Sequence, residues 1–530
     1  MRIPAGPVFV DPLPVLVSGV DFLGLGAVNE RLIARFLPGI SNATRYMRVY
    51  SVMSWMAWRF DEHFRGLNRG LSVTELDKRY RRFREKVELL FTWGNLDHAY
   101  GIVGSRRRFP TSNAPTRLTF KDFGSSKVSW LDAALYGPSM KVNNGLGFLE
   151  PRAGSTLGPS PSGVQLALAM DVVLQRSRHY DWLCDLSDDM ATRKIAEDFG
   201  ERWSVTESTR REREIFAAAF APARSTLETD PDGAARCSAV RLICSALERC
   251  GGTATVDKLR STIARGIPTA EGPFAEQRDE TSRAMWTALQ VRQLQRLCHE
   301  ALLRWIELLL LERPVGMEGR SAHELAAFCT RKVSERLGLN ADQPLSAVTA
   351  LVAAKAKWQG DTVPLGGTLV DVLACAGKVR AVREIDRGID ELPAMALQGL
   401  TAAAVQAASL AKCDLYRPYF RLGQRERLSL DTLVELFRDY QDRPLSSFVE
   451  LLIESCTIGQ HLATAAARLE PGKNKYRFVP SDDGLRLLIA PQQLTGLGMT
   501  PDRLETGMSL MADCGLLRRT QVDGGFGLPA

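Results

Sequence analysis

The chain has 530 residues, of which 45% are hydrophobic and 24% charged. Those proportions exclude wholesale disorder and give room for three or four folding units of ordinary size. The formal charge of +7 is concentrated at one end: residues 1–130 hold 20 Lys/Arg against 11 Asp/Glu, so the rest of the chain is slightly acidic. A basic first quarter suits an anionic partner, or is a solvated face with no partner.

In chain order, the opening MRIPAGPVFVDPLPVLVSG is broken by Asp11 and several prolines, unlike the unbroken apolar stretch of a signal peptide. A short helix is expected from Ala27 to Phe36, ending at Pro38-Gly39. The stretch SNATRYMRVYSVMSWMAWRF (41–60) follows, with N-cap candidates in Ser41, Asn42 and Thr44. On a helical wheel Arg45, Arg48 and Arg59 fall on one narrow strip, and the rest of the surface is apolar and aromatic. That pattern fits a buried framework helix whose arginines either pair with carboxylates inside the fold or line a phosphate-binding groove. A second helix opens at Thr74, with Asp77 completing a weak capping box. Its stripe of Leu76, Tyr80, Phe83, Val87 and Leu90 should pack inward, and Arg79, Arg81, Arg82 and Lys86 should fall away from it.

Residues 101–164 are dense in Gly, Pro, Ser and Asn and read as loops with a few short strands. From 165 to about 445 the pattern is helical. Residues 235–266 read as helix, Gly251-Gly252 turn and helix, and a long helix runs from Ser282 to Leu311. At the C-terminus, YRFVP-SDDG-LRLLI has a hairpin pattern with Asp483-Gly484 in the turn. A helix with Pro501 at its first position runs to Cys514 and Gly515, and LLRRTQ-VDGG-FGL closes as a second hairpin. Helix, glycine, basic strand and Asp-Gly turn is how many winged-helix domains end.

The fold expected is mainly α and multi-domain, with small β elements in the N-terminal region and a winged-helix-like domain at the C-terminus. The divisions are a basic helical domain (1–136), a Gly/Pro/Ser-rich linker (137–164), two helical domains (165–330 and 331–445) and the winged-helix-like domain (446–530).

Motifs for chemistry fail. Gly377-Lys378 and Gly472-Lys473 lack the rest of a P-loop, and Gly24-Leu25-Gly26 lacks the third glycine of a dinucleotide fingerprint. His299-Glu300 and His323-Glu324 each lack the second histidine of a zincin helix. His63 and His98, beside Glu62 and Asp97, are too sparse a set to assign a metal. No catalytic residue, metal or cofactor is assigned. The ten cysteines are scattered with no CxxC pair, as expected of free thiols in the cytoplasm. The longest apolar candidate, ALLRWIELLLL (301–311), contains Arg304 and Glu307, so no membrane span is expected.

What remains is binding chemistry. Arg106-Arg107-Arg108 lies in a Gly/Ser loop from which guanidinium groups can reach phosphates, and Arg518-Arg519 leads into the proposed wing. Together with Arg45, Arg48, Arg59, Arg79 and Arg82 these are the candidate nucleic-acid contacts, chiefly to DNA backbone.

GVDFLGLGAVNERLIARFLPGISNATRYMRVYSVMSWMAWRF at one end resembles the start of a group of large bacterial proteins encoded among mobile-element and anti-phage defence genes. At the other end GQHLATAAARLEP, GLRLLI and PDRLETGMSLMADCGLL are similar to the same group. The resemblance covers about a fifth of the chain and implies a defence or DNA-transaction role without assigning any residue. The expected function is therefore a non-enzymatic nucleic-acid-binding subunit of a bacterial complex with other protein subunits. A scaffold that holds an effector, and a divergent metal-dependent nuclease, are the alternatives.

Overall fold

A computed structural model describes residues 21–43, 45–65, 71–102, 116–119, 136–142, 145–152, 156–188, 190–223, 226, 228–265, 277–312, 320–355, 391–422, 428–470, 474–521 and 524–529. They are mainly helical, with four small sheets. Two compact units share the chain: one holds residues 1–32, 264–267 and 283–500, the other 33–263, 268–282 and 501–530.

The first helix, α1 (Gly26–Phe36), starts where expected because the Asp21 carboxylate accepts the Gly26 N–H at 2.8 Å. Helix α2 (Met47–Arg59) runs straight into a π-helical turn, Phe60–Arg65. Every residue of α2 from Met47 to Ala57 is buried, as its apolar surface requires. Its N-terminus departs from expectation. Tyr46 occupies the cap position and offers no side-chain bond; the Met47 N–H is instead satisfied by the Asp513 carboxylate at 3.0 Å, from the far end of the sequence. Arg45 thus lies outside the helix, and the three-arginine strip is reduced to two residues.

Helix α3 (Val73–Gly94) begins slightly earlier than the sequence suggests. Ser72 accepts the Glu75 N–H, and the Glu75 carboxylate accepts the Ser72 N–H at 3.0 Å, so this reciprocal pair displaces the Thr74/Asp77 box. Tyr80, Phe83, Val87 and Leu90 are buried as predicted, and Arg79, Arg81 and Arg82 are exposed. Lys86 is a correction: it is buried, for reasons given below.

Strand β1 (Arg117–Thr119) precedes β2 (Leu149–Pro151) and β3 (Leu157–Pro159), which pair antiparallel. Helices α4 (Pro161–Leu174) and α5 (Tyr180–Cys184) follow, and then β4 (Met190–Thr192), which pairs with β1. Helix α6 (Arg193–Arg202) packs across α3 at Gly94 and Gly200. A Cβ at Gly200 would sit 2.4 Å from the Gly94 carbonyl oxygen, so only two glycines allow the backbones this close. Helix α7 (Arg210–Phe220) presents Phe216 edge-on to Tyr50 of α2, with ring centres 5.2 Å apart. Helix α8 (Pro231–Arg249) then leads through Gly251 and Gly252, both at positive φ, into β5 (Thr253–Thr255) and α9 (Val256–Arg265).

The other unit is built on the 283–312 part of α10 (Gln277–Glu312). Leu294, Leu297, Ala301, Trp305 and Leu309 of that helix sit in one apolar core with α11 (Ala322–Leu337), α12 (Leu345–Lys355), α13 (Leu392–Leu410) and α14 (Leu430–Tyr440). Helix α15 (Leu445–Leu451), a π segment (Leu452–Gly459) and α16 (Gln460–Ala467) run on without a break and add Phe448, Val449 and Ile453 to that core. The predicted hairpin is present as β6 (Phe478–Ser481) and β7 (Gly484–Leu487), with its turn one residue earlier than expected: Ser481 pairs Gly484.

Residues 501–530 return to the unit that holds α2. Helix α17 (Leu504–Asp513) starts three residues after Pro501, because Arg503 adopts a left-handed backbone and the Asp502 carboxylate accepts the Leu504 N–H at 3.2 Å. Gly515 ends it at φ +87, as predicted. Strands β8 (Arg518–Arg519) and β9 (Gly525–Gly527) form the final hairpin, and β9 also pairs with β5, giving the sheet order β5-β9-β8. Asp523 lies outside the described residues.

Candidate functional site

The arginines of the α2 region point to three different elements. Arg45 is half exposed and lies 3.6 Å from Glu505 of α17. Arg48 is 3% exposed; its Nε is 3.1 Å from Glu212 Oε1 and its Nη2 donates to the Arg202 carbonyl at 2.8 Å. Glu212 does two jobs from within α7. One oxygen accepts the Thr209 N–H at 2.9 Å, completing a capping box, and the other faces Arg48. Burial pulls the Arg48 pKa down, and the charges of Glu212 and Glu207 oppose that pull. A guanidinium still stays charged, so this is a buried ion pair.

Arg59, at the end of α2, donates from Nε to Cys184 Sγ at 3.3 Å and lies 5.1 Å from the centre of the Tyr180 ring. Behind it Asp171 of α4 is almost fully buried and accepts three bonds: from Tyr180 Oη at 2.5 Å, Trp55 Nε1 at 2.7 Å and Gln175 Nε2 at 2.6 Å. Lys86 completes the cluster from α3. Its ammonium donates to the carbonyls of Trp182 (2.8 Å) and Asp185 (2.7 Å) and sits 3.6 Å from the centre of the Trp182 ring. Burial lowers its pKa to about 8. His63 on the π turn is held below its usual pKa by burial and then by Arg59.

This cluster contains a thiol, an imidazole and a carboxylate, but it is not arranged for nucleophilic catalysis. Burial raises the Cys184 pKa despite Arg59 and Lys86, so the thiolate is disfavoured. Asp171 is occupied by three donors, and Lys86 by two carbonyls. The arrangement instead ties α2, α3, α4 and α5 together with charged and polar bonds. From the sequence Arg59 is expected as a nucleic-acid contact and Lys86 on the outward basic face, whereas here Arg59 bonds Cys184 and Lys86 is buried; Asp171 and Tyr180 are given no role there. Thr209-x-x-Glu212 is a local capping pattern that was not among the expected helix starts, and nothing in it foretells the pairing of Glu212 with Arg48.

The exposed cations are elsewhere. Lys78, Arg79, Arg81 and Arg82 form the outward face of the first half of α3. Arg518 and Arg519 of β8 are exposed, though each is tethered. Arg518 Nε donates to the Leu528 carbonyl at 2.9 Å; Arg519 Nη2 donates to Asp513 Oδ1 at 2.9 Å and its guanidinium lies 5.8 Å from the Phe526 ring centre. Arg106, Arg107 and Arg108 lie outside the described residues. Among the described residues no helix is long and apolar enough to cross a membrane. No family model, curated protein or solved structure matches this chain.

Proposed function

We propose that this chain is a non-enzymatic, nucleic-acid-binding component of a bacterial multi-protein assembly of the anti-phage defence kind, and that it grips phosphate backbone rather than reading bases. The observation that carries the reading is topological. Helix α8, strand β5, helix α9, then helix α17 and strands β8 and β9, with β5 against β9, is the order of a winged helix. On this reading the domain is assembled from two stretches, 231–265 and 501–529, with most of the other unit inserted between its second and third helices.

The third helix of a winged helix is the one that enters a groove. Here that helix, α17, is buried at Leu504 and from Thr506 to Met511. Contact therefore falls to the β8–β9 hairpin and to the basic outer face of α3, both suited to phosphates and neither to base edges. The resemblance of the two chain ends to defence-associated proteins supports the cellular setting. Burial of α17 also favours a second reading, a winged helix used as a protein-docking module within a scaffold.

Anisotropy titrations of labelled 20-mer duplex and single strand between about 50 and 200 mM salt separate the two. Backbone binding predicts that log affinity falls linearly with log salt, with a slope that flattens by roughly 0.9 for each phosphate-contacting arginine removed. Salt-insensitive binding, or none at low salt, sinks the nucleic-acid reading and leaves the scaffold.

A further inference from the structure

The unit built on α10 carries a constellation that no motif in the sequence announces. His323 stands in the first turn of α11, and Glu450 and Glu454 stand on α15 and the π segment that continues it. One ligand atom from each lies within 4.8 Å of the others. His323 Nδ1 is 3.4 Å from Glu450 Oε1 and 3.8 Å from Glu454 Oε1. Bond lengths of about 2.0–2.2 Å to nitrogen and oxygen, at tetrahedral angles, put neighbouring ligand atoms roughly 3.3–3.6 Å apart. The three groups are thus already near the separations that one metal ion imposes.

Four further features distinguish this trio from a chance meeting of surface side chains. The helices that carry it are fixed from below: Leu325, Ala326 and Cys329 of α11 and Phe448, Val449, Leu452 and Ile453 of the facing segment are all buried in the same core. The first turn of α11 is locked by a capping box in which Ser321 accepts the Glu324 N–H at 3.2 Å and the Glu324 carboxylate accepts the Ser321 N–H at 3.0 Å, so Glu324 is taken and His323 is presented. Glu454 sits inside a π segment, where Thr457 Oγ1 donates to the Leu452 carbonyl at 2.8 Å; π turns recur at functional sites because the extra residue re-aims side chains around the helix. Among the described residues, neither carboxylate has an arginine or lysine ion-pair partner, so two negative charges converge on one imidazole.

We propose that His323, Glu450 and Glu454 form a binding site for a divalent transition-metal cation, with zinc the best match to one imidazole and two carboxylates. Three protein ligands leave at least one coordination position to water. The ion neutralises the facing carboxylates and joins the start of α11 to the α15–π segment. The site is independent of any nucleic-acid contact and stands or falls by itself.

The test is a Zn2+ titration of the full chain by calorimetry, repeated with Co2+ followed by absorption. Wild type should take up one equivalent whose Co2+ spectrum lacks a thiolate charge-transfer band, which sets it apart from adventitious binding to cysteines. His323→Ala and the double Glu450→Gln/Glu454→Gln variant should each weaken that equivalent at least about tenfold, the scale on which even outer-shell losses act. All three side chains are surface groups, so circular dichroism and the denaturation midpoint without metal should be unchanged in the variants. No uptake by wild type, uptake only with a thiolate band, or unaltered affinity in either variant overturns the assignment.

Discussion

Helices α2 and α3 belong to the same unit, both carry arginines at helical spacing, and they use them in opposite ways. α2 is apolar on nearly all sides, so it is buried from Met47 to Ala57 and Arg48 is buried with it. A charge in that position has to be matched, and Glu212 matches it. α3 has one apolar stripe, so Phe83, Val87 and Leu90 go inward and Arg79, Arg81 and Arg82 stay in water. The fate of an arginine is decided by the residues around it on its helix, not by the number of arginines present.

The largest expected effect breaks the α2 side of this comparison. Glu212→Gln keeps a side chain that can still complete the capping box with Thr209 but removes the larger of the two opposing charges on Arg48, leaving Glu207 as the smaller one. Removing one partner of a buried pair costs about 3–5 kcal/mol, read as a drop in the urea midpoint of the unit holding α2. Replacing both, as Arg48→Met/Glu212→Leu, should recover much of the loss. A Glu212→Gln variant with an unchanged midpoint would show that the pair contributes nothing.

The next prediction tests the α3 side. Arg79→Gln/Arg81→Gln/Arg82→Gln should leave stability within about 0.5 kcal/mol, because exposed substitutions touch no core. It should flatten the salt dependence of nucleic-acid binding by about 2–3 in slope, roughly 0.9 for each phosphate that the variant no longer neutralises. If instead the midpoint falls and the slope stays, the two helices have been assigned the wrong way round.

Periodicity made much of the fold legible. The burial of α2, the stripe of α3, the C-terminal end of α10 and the hairpin at 478–487 follow from local pattern alone, because each depends on residues a few positions apart; α10 itself begins at Gln277, five residues before the expected Ser282. What sequence missed depends on distant partners. Nothing near Met47 hints that Asp513 will cap α2, and nothing near Lys86 hints that two carbonyls of α5 and the residue after it will draw it inward. The same limit hid the His323, Glu450 and Glu454 trio: no second histidine stands near His323-Glu324 in the chain, and the carboxylates that face His323 lie more than a hundred residues on. Pro501 misled for a local reason: it is a good first helical residue, but the left-handed Arg503 delays the helix.

Two buried histidines of the α10 unit extend the lesson to groups that can shed their charge. Burial lowers both His299 and His461 to about 4. Each therefore binds fewer protons in the fold than when unfolded, so stability present above about pH 6.5 is lost as the pH falls toward 4. Their surroundings differ. His461 Nε2 accepts the Arg477 N–H at 3.0 Å, which leaves Nδ1 to donate to the Phe22 carbonyl at 3.2 Å, whereas neither ring nitrogen of His299 has a hydrogen-bond partner among the described residues. His461→Phe should cost about 1–3 kcal/mol at pH 7 by orphaning both of those groups. His299→Phe should cost nothing or stabilise at pH 7, and both variants should lessen the loss of stability on acidification, measured as urea midpoints at pH 7 and pH 5. Equal costs for the two would mean that the bonds to His461 carry no weight.

The smallest effect returns to the start of α2. Arg45 and Glu505 are 3.6 Å apart, but their side chains are 52% and 60% exposed. Water screens the attraction, and holding two long side chains in one geometry offsets most of what is left. Arg45→Gln should shift stability by less than about 0.5 kcal/mol, several-fold below Glu212→Gln, although Arg45 and Arg48 are near neighbours in the chain. A shift above about 1 kcal/mol would mean that the Arg45 pair is shielded from water in solution. The boundary between framework and surface would then lie before Arg45 instead of between it and Arg48.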